Sequence, residues 1–141
     1  MQPQVHQVDR VLRRIAADGG GMEAIAARTV ALWTEVARVL VPIIGQRGMS
    51  ALYERALHLA AAQHRWLGQA RGEDGELPVF SSLARAASEQ AVDDAIASVT
   101  TLFETFDRLL VTLIGASLTE RLLKPIWDVP SAGPIRQDTA P

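Results

Sequence analysis

The sequence predicts an all-α, four-helix bundle-like fold: two helical hairpins with an internal pseudo-twofold repeat, plus a short N-terminal amphipathic helix. Three observations predict it. Val92, Ile96, Val99, Phe103, Phe106, Leu110 and Leu113 alternate in steps of four and three without a miss, which draws one apolar stripe along a helix. The string RVLVPIIG at 38–45 returns as RLLVTLIG at 108–115, with five of its eight positions identical. No stretch sustains the apolar–polar alternation of a strand.

The elements follow in chain order. Val5, Val8, Leu12 and Ile15 are spaced by three, four and three and form the stripe of the N-terminal helix. Gly19, Gly20 and Gly21 stop it and read as a flexible joint. From Met22, the track Ile25, Leu32, Val36, Val39 and Ile43 is widened by Trp33, Leu40 and Ile44, with Thr29 as its polar member. Pro42 predicts a kink or end near residue 41, and Gly45 is the stop, expected as a left-handed cap. Residues 46–49 read as a connector and Ser50 as the N-cap of a helix over 51–67, with the track Leu52, Ala56, Leu59, Gln63 and Trp66.

GQARGEDGELP at 68–78 reads as a loop, and Ser81 or Ser82 as the cap of a short helical turn. A long helix over 89–114 is ended by Gly115. Ser117 and Glu120 form a capping box that starts the last helix at Leu118 and carries it to about Trp127. The organisation is then an N-terminal segment with its joint at 1–21, a bundle domain at 22–128 and a disordered tail at 129–141.

The repeat extends beyond the opening string. Leu32-Trp33 maps onto Leu102-Phe103 at the same offset of 70. Past the glycines, Glu54-Arg55-Ala56-Leu57 resembles Glu120-Arg121-Leu122-Leu123, which requires a connector four residues longer in the first copy. Two hairpins of one design, 22–67 and 88–128, are the expectation.

Composition narrows the function classes. The chain has 141 residues, 48% hydrophobic and 21% charged, which suits one globular domain with a single core. No run approaches the ~18–20 apolar residues of a spanning helix. The start MQPQVHQVDR lacks the basic and apolar regions of a secretory signal, so a cytoplasmic protein is expected. The absence of cysteine excludes disulfides, thiol nucleophiles and thiolate metal sites. A net charge of −2 gives no nucleic-acid footprint. Lys124 is the one lysine among fourteen basic residues, a bias that with the many alanines suits a GC-rich bacterial genome.

Candidate chemistry is sparse. Glu54 and His58 share a helix face at a metal-ligand spacing, but further ligands are needed, and the paired E-x-x-H sequences of di-iron bundles are absent. No metal, cofactor or catalytic residue is assigned. There is no G-x-S-x-G, P-loop or G-x-G-x-x-G motif, and His58 and His64 lack the H-x-x-K-G type context of phosphotransfer bundles.

Three constellations remain. Arg38, Glu54, Arg55, Arg108, Glu120 and Arg121 are expected to gather at the hairpin ends, as ion pairs or as a site for an anionic ligand or partner. Trp33, Trp66, Phe103 and Phe106 either fill the core or line an apolar pocket. Val5, Val8, Leu12 and Ile15 make a docking stripe, for the chain's own bundle or for a protein partner. The expected function is a non-enzymatic bacterial interaction or regulatory module that acts through protein–protein contacts as a homodimer. The alternative is a small-molecule sensor with an apolar pocket between the hairpins. Neither nucleic-acid binding nor membrane insertion is expected.

Overall fold

A computed structural model describes residues 6–70 and 80–127. All its elements are helical: α1 His6–Ala17, α2 Met22–Ala60, a 3-10 helix Arg65–Ala70, α3 Phe80–Ser88, α4 Val92–Ile114 and α5 Ala116–Trp127. No strand occurs among the described residues. None of the helices is long and apolar enough to cross a membrane. Val5, most of the expected 68–78 loop and the expected disordered tail at 129–141 lie outside the described residues.

α1 is not a free stripe. Val8 and Leu12 are buried in the common core, and Ile15 packs against it. The helix touches both α2 and α4, and Arg13 reaches Asp93 at the start of α4, 3.7 Å away. The three glycines form a tight turn in place of the expected flexible joint. Gly20 N–H donates to the Ile15 carbonyl and Gly19 N–H to that of Ala16, with Gly19 at φ 92°. This pair of bonds is a Schellman closure, and the positive φ at its C′ position favours glycine. At Gly20, a β-carbon would lie 2.8 Å from the Ile15 carbonyl oxygen, so close backbone approach also requires glycine there.

α2 is two limbs joined at one residue. Helical geometry continues through Pro42, without the kink or end expected near 41, and breaks at Gly45 (φ 82°, ψ 163°), the residue expected as the stop. The proline removes one hydrogen bond close to a helix end, whereas only glycine enters the backbone region that reverses the chain. The reversal is evident from Trp33 and Tyr53, whose ring centroids are 4.9 Å apart. Along a straight helix these residues would be about 30 Å apart.

The expected connector at 46–49 is helical, and Ser50 is a buried residue inside the return limb, not its cap. Starting the limb at Gln46 changes its phase. Met49, Tyr53, Ala56, Leu57 and Ala60 face inward, while Leu59 is 41% exposed and Gln63 is exposed. The limb ends at Ala60, well short of the expected 67.

Gly115 repeats this device (φ 94°, ψ 154°). Its N–H donates to the Val111 carbonyl at 2.8 Å, and its own carbonyl accepts from Thr119 N–H at 3.1 Å. One residue thus closes α4 and opens α5, which begins at Ala116 without the expected Ser117 cap. Both glycines occupy a region essentially restricted to glycine, not the left-handed helical cap expected. A β-carbon at either would meet nothing within 4 Å, so a substitution there is opposed by the dihedral alone.

The wide stripes of α2 and α4 are consumed internally except at their ends, where Ile43 and Leu113, expected on the stripes, are exposed. Ile25, Leu32, Trp33, Val36 and Leu40 pack with Ile96, Val99, Leu102, Phe103, Phe106 and Leu110. At the centre, Trp33 stacks on Phe103 at 4.2 Å and 11°. Tyr53 and Phe106 meet it in T-shaped contacts, and Phe80 of α3 stacks on it at 5.9 Å. Gly45→Ala and Gly115→Ala are each expected to lower stability by about 1–3 kcal/mol. Gly21→Ala, at φ −88° with open space around it, is the matched control. Thermal melts decide, and an unchanged midpoint at either turn removes the glycine argument there.

Candidate functional site

The six charges expected at the hairpin ends lie on α2, α4 and α5 but do not form a cluster of ion pairs. Arg38 donates to Glu35 on its own helix, at 2.6 Å from Nη2 and 3.2 Å from Nε. That hydrogen bond holds the Glu35 carboxyl below the ordinary carboxylate range and raises the guanidinium. Both groups are exposed, so the pair contributes little to stability. Arg55, Arg108, Glu120 and Arg121 are exposed and Glu54 is half-buried. Ion pairs also join Asp9 to Arg13, Asp18 to Arg14 and Asp93 to Arg13. None of these joins two members of the expected set.

Glu54, Arg55 and His58 do share one feature. With Ala51 they line an open cleft of about 360 Å³ on the outer face of the return limb. No group of three or more His, Asp and Glu residues that could hold a metal ion is found among the described residues.

The four aromatic candidates separate. Trp33, Phe103 and Phe106 are fully buried, and the Trp33 ring is in contact with both phenylalanines. Trp66 is half-buried on the 3-10 helix, and its indole N–H donates to Ser98 Oγ at 2.9 Å. Ser98 in turn donates to the Asp94 carbonyl, and His64 Nε2 lies 3.2 Å from Thr101 Oγ1. The segment that follows the return limb is therefore pinned to α4 by two polar anchors. The rings fill the space between the α2 limbs and α4, where the sensor reading places its pocket. A second cleft, of about 110 Å³, lies between Arg28, Ala31, Leu32 and Glu35 of α2 and Ile126 of α5.

Comparison with known proteins returned no match, whether to a family model, to a characterised relative or to a solved structure. The reading of the site therefore rests on its own geometry.

Sequence reasoning passed over Tyr53, Phe80, Ser98, Thr101 and Asp107. Asp107 had a legible signal: it follows Phe103 by four and precedes Leu110 by three, so it falls on the inward stripe of α4. Its side chain is buried. Tyr53 is also buried, with no hydrogen-bond partner for its hydroxyl among the described residues, and burial keeps the phenol protonated.

Burial pushes the Asp107 carboxyl up, only partly opposed by the Arg108 charge beside it. The folded chain therefore holds this proton more tightly than the unfolded chain. Its favourable contribution is full below the ordinary aspartate pKa and is lost as pH rises through the raised folded value. Asp107→Asn is expected to raise the melting temperature at neutral pH and to bring no gain below the carboxylate range. Melts of both proteins across that range test this, and equal midpoints at neutral pH would refute it.

Proposed function

We propose that this chain is a non-enzymatic helical interaction module of the regulatory kind, which works through protein–protein contacts as a homodimer of bacterial, cytoplasmic chains. Its scaffold is a four-helix core of two helix–glycine–helix hairpins, related by a pseudo-twofold axis that passes between Trp33 and Phe103. The observation that carries this reading is the stack of those two rings. Residues related by a twofold approach each other most closely at the axis, and Trp33 and Phe103 are equivalent at the offset of 70.

Further pairs at that offset support it. Gly45 and Gly115 share one unusual backbone conformation. Gly19 N–H to Ala16 O is matched by Glu89 N–H to Ala86 O, and Ile25 N–H to Gly21 O by Ala95 N–H to Ala91 O. Met49 and Thr119, Tyr53 and Leu123, and Ala56 and Ile126 are all buried. The longer connector assumed for the first copy is unnecessary, and α1 and α3 join the two copies as their leading helices.

The hairpins also point the same way. α1 ends four residues before α2 begins, and its Arg13 reaches Asp93, the second residue of α4. The starts of α2 and α4 therefore share a pole. Eleven residues further along each helix, Trp33 meets Phe103. Two helices that start together and touch at their midpoints are co-directional, which brings both glycine turns to the opposite pole.

A filled interior favours an interaction module over a sensor. Between the hairpins, the cleft beside Arg28, at about 110 Å³, falls below the roughly 300–1,000 Å³ of ordinary ligand pockets, and the larger cleft at Glu54, Arg55 and His58 lies open on the outer face. For the homodimer, the return limb offers a self-complementary face. Leu59 is exposed there among Ala51, Ala62, Glu54, Arg55 and His58. In a twofold contact, Glu54 of one copy can meet Arg55 or His58 of the other while the two leucines pack.

Sedimentation equilibrium at micromolar concentration is expected to show a dimer that Leu59→Arg converts to monomer. A native chain that stays monomeric at every concentration ends the dimer. The shared pole has its own test. Spin labels on Gln46→Cys and Ala116→Cys, in a chain with no other cysteine, are expected at roughly 20 Å, about two helix diameters. A distance near the ~35 Å length of α4 would place the turns at opposite ends.

A further inference from the structure

The pole that carries both glycine turns is unlike the rest of the surface. Ile43 is 48% exposed and Leu113 57%, and with Leu59 they are the exposed large hydrophobics among the described residues. Each stands two residues before its glycine. Residues 39–46 and 109–119 contain no charged side chain. Immediately around them the charge has one dominant sign. The windows 38–52 and 108–122 hold Arg38, Arg47, Arg108 and Arg121 against Glu120, a formal +3 in a chain whose total is −2. All four arginines are exposed. Asp107, the acid beside this collar, is buried, and Glu35, which pairs with Arg38, stands a further turn from the tip.

We propose that this pole docks on an anionic lipid bilayer surface, with Ile43 and Leu113 entering the headgroup–acyl boundary and Arg38, Arg47, Arg108 and Arg121 meeting lipid phosphates. The proposal rests on the co-directional hairpins argued above. The geometry suits the depth of such an interface. Arg38 and Arg108 each lie five residues before the apolar side chain, about 7.5 Å along the helix, and interfacial apolar groups enter about 5–10 Å. The site is a pair of convex helix ends, whereas a bound peptide needs a groove. The two clefts described lie elsewhere, on the return limb and beside Ile126. A second copy placed tip to tip would bring two arginine collars together, which like-charge repulsion opposes. A negatively charged bilayer complements both the charge and the shape.

The experiment is co-sedimentation of the full chain with vesicles of phosphatidylcholine plus phosphatidylserine, and with phosphatidylcholine vesicles alone. Binding is expected to the anionic vesicles only and to be released by salt, because the collar acts through screened charges. Ile43→Asp with Leu113→Asp is expected to weaken it at least about tenfold. Arg47→Gln with Arg108→Gln is expected to weaken it about fivefold per arginine while leaving every apolar residue in place. Circular dichroism and sedimentation equilibrium confirm that both variants keep their helix content and self-association.

Absence of binding to the anionic vesicles overturns the proposal, as does full binding by the Ile43→Asp, Leu113→Asp variant. If that variant instead falls to monomer, the pole belongs to a second copy of the chain and lipid docking is refuted. The spin-label distance separates this failure from failure of the scaffold. A short distance without vesicle binding removes the docking alone. A long distance, with binding lost in only one of the two single Asp variants, removes the shared pole and the docking drawn from it.

Discussion

The contact on which the rest depends is the stack of Trp33 on Phe103. Rings 4.2 Å apart and nearly parallel fix both the separation and the rotation of α2 against α4, because neither helix can turn about its axis without parting them. The other elements register on the same indole. Tyr53 brings in the return limb, Phe106 the next turn of α4, and Phe80 draws in α3. The arrangement leaves the Trp33 indole N–H buried without a hydrogen-bond partner among the described residues. Such a group costs about 1–3 kcal/mol. Burying 150–250 Å² of aromatic surface at about 25 cal/mol/Å² contributes about 4–6 kcal/mol. Apolar burial therefore outweighs the orphaned donor.

The second constraint is that each reversal is made by a single residue. A longer loop would carry polar side chains able to fold over the ends of the helices. Gly45 and Gly115 leave no such cover, and Ile43 and Leu113 emerge bare as a consequence. The exposure of Ile43 and Leu113 follows from the turn geometry and is not an independent feature. The same economy sets the phase of the return limb. Because helix resumes at Gln46, Tyr53 arrives opposite Trp33 and Leu59 is turned to the outside.

Periodicity made the helical class legible, along with the inward faces of α1, the first limb of α2 and α4, since a stripe such as Ile96 to Leu110 has one physical explanation. The repeated string located both reversals. What could not be read was their brevity. Ser50 and the S-x-x-E at 117–120 are sound capping signals, but a cap chosen from local chemistry is displaced when a glycine two to five residues earlier takes a conformation that no other residue favours. An error of a few residues at that point rotated the whole 51–67 track and with it the expected positions of Glu54 and Arg55. Stripes also name a face and not a neighbour. Trp33 and Phe103 were visible as equivalent positions, while their stacking on each other required the fold. Ser98 and Thr101 were missed for a related reason: each lies beside an apolar position, and their partners Trp66 and His64 come from a segment whose 3-10 geometry leaves no periodic trace.

On the two-hairpin reading, the halves agree in packing and differ in polar chemistry. Ser98 and Thr101 of α4 hold Trp66 and His64. Their equivalents at the offset of 70 are Arg28 and Ala31, which line the small cleft beside Ile126, where the Arg28 Nε is buried without a partner among the described residues. The asymmetry is physically permitted because these positions lie on the flanks of the core. At the axis, a changed ring would disturb both halves at once. On the flank, a serine in one half can stand where the other has an arginine at the cost of a local hydrogen bond. Asp107 shows the same tolerance, standing buried where the first half has a half-buried Ala37. The interior stack therefore preserves the common scaffold on this reading, and it is on the flanks that one half has contacts the other lacks.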